Sequence, residues 1–349
     1  MKAMLLHELG GRLTLADVPR PKPGPNEAVV RVRAAGVGLT LAIMRSNPGI
    51  VTHYPRIIGH EVAGDVAEVG SEVEALRPGD RVTCHFYLTC KRCRYCRSGR
   101  ETLCESFKGY VGMACDGGFA EYVALPALNL CRLPPGLPYL DAAIAADAIC
   151  TPLHVCRGEA RIGPGDDVLI VGAGGGVGVH MVQMARACGG RVLAVDLGPE
   201  KLAMARELGA EVAIDAAGVP NWAAEVMART DGRGVDAAID IVATAASLPM
   251  ALSSLARGGR LVIVGHRPKA VFKADPTFPV DPSLVLYKAL EIHGSRYVSM
   301  AELAQTLEVV RRGTVRPIVT RTFPLEGAEE ALRLVQEGQV VGRAALLLD

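Results

Sequence analysis

Aromatic residues are scarce in this sequence, 4% with a single tryptophan, and charge of either sign is not in surplus: 38 Lys and Arg face 37 Asp and Glu, a formal net of +1. So even a balance provides no electrostatic footprint for nucleic acid or an anionic membrane surface. The expected partner is a small molecule. No apolar run approaches the ~20 residues of a membrane span. The opening stretch MKAMLLHELGGRLTL meets Glu8 before a signal-peptide core develops. Without an export signal, ten cysteines point to a reducing compartment, the cytoplasm, where clustered thiols are more often metal ligands than disulfides.

At 349 residues the chain exceeds the ~250–300 at which single cores stop growing, so two domains are expected. The first 130 or so residues break into short Val-rich runs, such as EAVVRVRAAGV and EVAGDVAEVG, separated by PGP, GS and RPGD. That spacing predicts a small barrel or folded sheet. From about residue 165, apolar runs (DDVLIVG, RVLAVD, VDAAIDIV, RLVIVG) alternate with Ala-rich helical stretches, the pattern of βαβ units on a parallel sheet. Beyond residue 295 the chain reads helix, strand, helix, strand, a tail too short for a third domain and expected to pack on the first.

Cys90, Cys93, Cys96 and Cys104 form C-x2-C-x2-C-x7-C. Tetrahedral zinc takes four thiolates, and x2 spacings aim successive sulfurs at one point. An iron–sulfur cluster competes, but no proline follows the fourth cysteine and there is no second cysteine run. Four protein ligands leave no open position, so the zinc is read as structural.

In DDVLIVGAGGGVGVHMVQMARACGGRVLAVD, Gly172, Gly174, Gly175, Gly176 and Gly178 lie between a strand-like run and a helical one. Such glycines let backbone approach a pyrophosphate at a helix N-terminus. Asp196 closes the next strand at the offset of a ribose contact and disfavours a 2′-phosphate, which selects NAD(H) over NADP(H).

AAGVGLT, GHEVAGDVAEVG, RPGDRV, the four-cysteine lobe, GGFAEYV, the Gly-rich loop, GGRLVIVG and VGRAALLL together resemble the zinc-containing medium-chain dehydrogenase/reductase family, the alcohol dehydrogenases and their relatives. The resemblance covers essentially the whole chain. It implies an α/β protein with a GroES-like, β-rich catalytic domain (residues 1–145 and 295–349, with the structural zinc lobe at 84–110) and a Rossmann doubly wound parallel-sheet domain (146–294). It also implies a substrate cleft and a homodimer or homotetramer. By the same analogy Val177, Lys201, Val264, Gly265 and Arg343 touch the dinucleotide.

Relatives that oxidise alcohols hold a catalytic zinc with the Cys of GVCxTD, the His of GHE, and a Cys or Asp at the end of a run like AAIAADAIC. This chain carries His60, Glu61 and, for the third place, Cys150; Thr40 keeps the hydroxyl that relays the alcohol proton. Gly38 replaces the first cysteine, and Leu41 replaces the aspartate that orients the histidine. His60, Glu61 and Cys150 then either bind a zinc of atypical composition, with Asp147 and His53 as substitute ligands, or His60 and Glu61 are a hydrogen-bonded pair in a turn. The first function expected is an NAD(H)-dependent alcohol/carbonyl oxidoreductase with that atypical zinc. The alternative is a reductase of activated C=C or C=N bonds without catalytic zinc, in which Thr40 or His60 donates the proton. A third is the same fold turned to a non-redox reaction such as hydrolysis. Leu41, Ile43 and Met44 are either an apolar substrate wall or core, and His85 is expected near substrate. Cys115, Cys131, Cys156 and Cys188 read as inert core thiols, and Trp222 as part of a surface helix.

Overall fold

The stretch EAVVRVRAAGV folds as an 11-residue strand, Glu27–Val37, because its β-branched residues and alanines suit a pleated surface covered on both sides. Around it the computed structural model, which describes residues 1–349, builds the first of two units, Met1–Cys150 with Val298–Asp349. The sheet runs Val319–Phe323, Arg343–Leu347, Glu27–Val37, Glu61–Val69, Arg81–Cys84 and Leu130–Arg132, with Tyr122–Pro126 also pairing to the long strand. Two antiparallel ladders fix the register of the long strand, with Gly36 opposite Glu61 and Val37 opposite Ala344. The end of the long strand is thus bracketed by the first residues of both its neighbours, Glu61 and Arg343. Helix Met300–Arg311 begins with a capping box in which Ser299 and Glu302 satisfy each other's backbone N–H groups.

The second unit, Thr151–Tyr297, holds a six-stranded sheet. Its order is Val212–Asp215, Arg191–Asp196, Asp167–Val171, Val235–Asp240, Leu255–Ile263 and Glu291–Gly294, and every pairing is parallel. Strand order reverses beside Asp167–Val171, the switch point at which α/β sheets bind ligands beyond the strands' carboxyl ends. The expected α/β class, with a GroES-like and a Rossmann part, is the architecture observed.

Trp222 departs from expectation. It is 3% exposed and packs in the core with Val226, Leu248 and Leu252. Helix Trp222–Ala228 opens with it; a helix this short has too few turns for its apolar face to be read from periodicity.

His180, in helix Gly178–Ala187, is fully buried with its Nδ1 2.8 Å from the Gly176 carbonyl. Burial pulls its pKa from 6.5 down to about 4. The unfolded chain therefore binds the extra proton between those values, and stability falls as pH drops from 6.5 toward 4, by up to about 3 kcal/mol from this group. Thermal unfolding of wild type and His180→Gln across this range should show a flatter acid slope in the variant. Parallel slopes would contradict the assignment.

Candidate functional site

Cys90, Cys93, Cys96 and Cys104 converge around the single turn Arg94–Arg97, and none is in a disulfide. The Sγ–Sγ separations are 3.9 Å (Cys90–Cys96), 3.6 Å (Cys93–Cys96) and 4.0 Å (Cys93–Cys104). A tetrahedron with Zn–S bonds of ~2.3 Å has edges of about 3.8 Å, so the sulfurs are spaced as zinc requires. Backbone N–H groups already serve them: Cys93 N donates to Cys90 Sγ at 3.3 Å and Cys90 N to Cys104 Sγ at 3.2 Å. Donation from the N–H groups of Arg92 and Cys93 lowers the Cys90 thiol to about 6, whereas burial pushes Cys96 up to about 12. A divalent ion at the centre would displace the remaining protons.

In the second unit, the strand Asp167–Val171 feeds the turn Gly172–Val177 and then helix Gly178–Ala187. Gly172 has φ +88°, which an L side chain resists. A Cβ on Gly178 would run into the Gly172 carbonyl, and one on Gly174 into Lys201, so these glycines allow the helix and Lys201 to pack closely on the turn. At Gly175 a Cβ would meet only the Gly172 oxygen, at 3.6 Å, which leaves the loop open to a ligand. Asp196 Oδ2 accepts from Gly174 N and Oδ1 from Leu197 N, both at 2.7 Å, while Lys201 Nζ lies 3.9 Å from Oδ1. Each oxygen retains a lone pair for a ribose hydroxyl. Val264 and Gly265 follow strand Leu255–Ile263, with both N–H groups bonded to the Asp240 carbonyl.

In the first unit a second group assembles from His60, Glu61 and Asp147, their ligating atoms all within 4.8 Å of one another. His60 and Glu61 are fully buried. His60 Nε2 stands 3.8 Å from Glu61 Oε1 and 3.7 Å from Asp147 Oδ2, too far to bond either. Both ring nitrogens lack a hydrogen-bond partner, and the ring packs on Phe86 with centroids 4.3 Å apart. Leu41, which stands in place of the family's orienting aspartate, is core. The third member comes from the π-helical turn Ala145–Ile149, a wide turn frequent at functional sites.

The two acids already have a cation. Arg343 Nη2 bonds Glu61 Oε1 and lies 3.2 Å from Asp147 Oδ2, and its Nε is 3.2 Å from Glu61 Oε2. Burial lowers the guanidinium to about 10, still charged at neutral pH. For a divalent ion ~4 Å away, each unit charge counts roughly 8 kcal/mol at an effective dielectric of ~20, so the guanidinium cancels about one of the two carboxylates. The donors are of the right kind for a metal, but their charge is half spent, and Gly38 adds no thiolate. These residues do not fit a catalytic zinc as they fit the structural one.

Several expected positions differ. Cys150 is not in the group: its Sγ is 3.1 Å from the Ala146 carbonyl, and Asp147, three residues earlier, takes its place. Residues three apart share a helix face, so the sequence could not separate them, and the π turn resets the register. Arg343, expected at the dinucleotide, is buried with its guanidinium against the two acids. His53 sits 2.6 Å from Arg56 Nη2, away from His60's group. His85 is fully buried, its Nε2 2.9 Å from the Val298 carbonyl. Thr40 is half-buried in the first turn of helix Leu39–Ser46. Cys156 is buried and Cys115, Cys131 and Cys188 half-buried. Burial raises all four thiols, Cys115 and Cys131 to about 11.

Comparison with known proteins agrees with this architecture. Residues 24–135 match the alcohol dehydrogenase GroES-like domain and residues 176–312 the zinc-binding dehydrogenase domain. The chain belongs to the zinc-containing medium-chain dehydrogenase/reductase family and is an oxidoreductase. It is 33% identical to an NAD-dependent alcohol dehydrogenase of Sulfurisphaera tokodaii, over 99% of this chain and 100% of that one. An acryloyl-coenzyme A reductase of the same organism is 29% identical over 98% of both. The crystal structure of an alcohol dehydrogenase from Aeropyrum pernix superposes with a TM-score of 0.90 at 32% identity, covering 100% of both chains.

Cys104→Ser should lower bound zinc, by elemental analysis, by about one ion per chain and reduce Tm. Unchanged zinc would remove the tetrathiolate site.

Proposed function

We propose that this chain is an NAD(H)-dependent reductase that transfers hydride to a carbon–carbon double bond conjugated to a carbonyl, with zinc only in its four-cysteine lobe. The observation that supports this reading is the pairing of Arg343 with both Glu61 and Asp147, which leaves His60 alone uncommitted. When bound, NADH supplies the hydride. The Gly172–Gly178 loop admits its pyrophosphate, and Asp196 accepts from the ribose hydroxyls and repels a 2′-phosphate; Val177, Lys201, Val264 and Gly265 complete that site. Hydride arriving at the β-carbon moves the π electrons toward the carbonyl oxygen, and the α-carbon then takes a proton. His60, whose ring nitrogens have no other partner, holds that proton, and the Thr40 hydroxyl relays its replacement. The balance is one NADH and one proton consumed per C–C double bond reduced. A relative named acryloyl-coenzyme A reductase, whose name specifies an activated alkene, supports the assignment. No helix is long and apolar enough to cross a membrane, and we take the enzyme to be a cytoplasmic homodimer or homotetramer acting on a small molecule.

A second reading, an alcohol dehydrogenase with zinc on His60, Glu61 and Asp147, draws support from the unpartnered His60 and from the names of several relatives. The two separate in one assay. The reductase should oxidise NADH with α,β-unsaturated ketones or thioesters and leave millimolar primary and secondary alcohols untouched with NAD. Alcohol turnover without enone reduction would reverse the choice.

Asp196→Ser should shift the kcat/KM ratio of NADH to NADPH by at least about tenfold toward NADPH, the effect of one lost ribose interaction of ~1.4 kcal/mol. An unchanged ratio would free Asp196 from that role.

A further inference from the structure

Gly38 and Arg343 stand at the ends of adjacent antiparallel strands, and the space between them is already filled. A Cβ on Gly38 would lie 2.6 Å from both Nη1 and Nη2 of Arg343 and 2.7 Å from Cζ. Real side chains do not approach so closely, so any larger residue at 38 must displace the guanidinium. That group has little freedom to move. Its side chain is 4% exposed, and it is tied through Nε and Nη2 to Glu61 and through Nη2 to Asp147. Those are the two acids that flank the unpartnered His60.

We propose that Arg343 is a resident cation occupying the place of the family's catalytic metal, and that Gly38 is the residue that admits it; this rests on the metal-free reading above. Its role is that of a positioning residue. It fixes Glu61 and Asp147 beside His60 through its hydrogen bonds to both, supplying one positive charge where a zinc would supply two. A guanidinium suits this because it remains charged when buried and its planar fork meets carboxylates in two parallel bonds. A metal can be exchanged or chelated; a covalent cation cannot. Gly38 and Arg343 therefore form a coupled pair: restoring a thiolate at 38 without removing Arg343 brings the new side chain against the guanidinium instead of against an ion.

The test reads metal content and needs no substrate. Wild type, Gly38→Cys, and the double variant Gly38→Cys/Arg343→Ser are incubated with excess zinc, desalted and analysed for zinc per chain. The expected counts are about one, about one and about two. Two ions in the wild type, two in Gly38→Cys with Arg343 intact, or one in a double variant that retains its circular dichroism would each overturn the proposal. Should the double variant not fold, cobalt loading of the wild type decides. A single cobalt with the intense charge-transfer bands of a tetrathiolate site supports a resident Arg343, whereas a second cobalt with a distinct spectrum refutes it. Failure to reduce enones would sink the reductase reading without altering these counts, and the metal counts could fail while enone reduction persists.

Discussion

The ion cluster of Arg343, Glu61 and Asp147 is the constraint around which the first unit is arranged. Two carboxylates and a guanidinium are held out of water, where desolvation is expensive and only close, multiply bonded geometry compensates. Each partner depends on the others. Removing one from such a cluster leaves an uncompensated buried charge, typically at a cost of ~3–5 kcal/mol, whereas the intact set need be worth little in net stability. Its value is in specifying an arrangement: one placement of two strand ends and the π turn Ala145–Ile149 satisfies it.

The backbone accommodates this with small residues. Gly36 leaves room for the Glu61 side chain and Gly38, directly after the strand Glu27–Val37, for the Arg343 guanidinium. Neither glycine is needed for an unusual φ. They provide volume, and the space they leave is taken by charge. The second unit uses glycine differently, for a left-handed turn at Gly172 and for close helix packing at Gly178. One residue type thus serves two purposes that a count of glycines does not distinguish.

Much of this was legible in the sequence, because the features concerned are local. The cysteine spacing and the strand–glycine–helix–strand–Asp196 succession are each contained within some thirty residues, and periodicity carries the alternation of strands and helices. What was not legible depends on long-range placement. Nothing near Arg343 in the sequence indicates that it meets Glu61. Asp147 and Cys150 share a helix face until a π turn separates them. Trp222 opens a short helix whose buried face is set by the sheet beneath it. In each case the deciding contact is made by residues distant in the chain.

That distance has a consequence for the order in which the protein can be made. Glu61 and its arginine are 282 positions apart, and the second unit, Thr151–Tyr297, lies wholly between them as one continuous segment. On a ribosome the inserted unit can therefore finish folding while the first still waits for the strand Arg343–Leu347 to emerge. Until then the Ala34–Val37 end of the long strand lacks its partner on that side and the acidic pair has no counter-ion, so that end is the segment most in need of protection during synthesis.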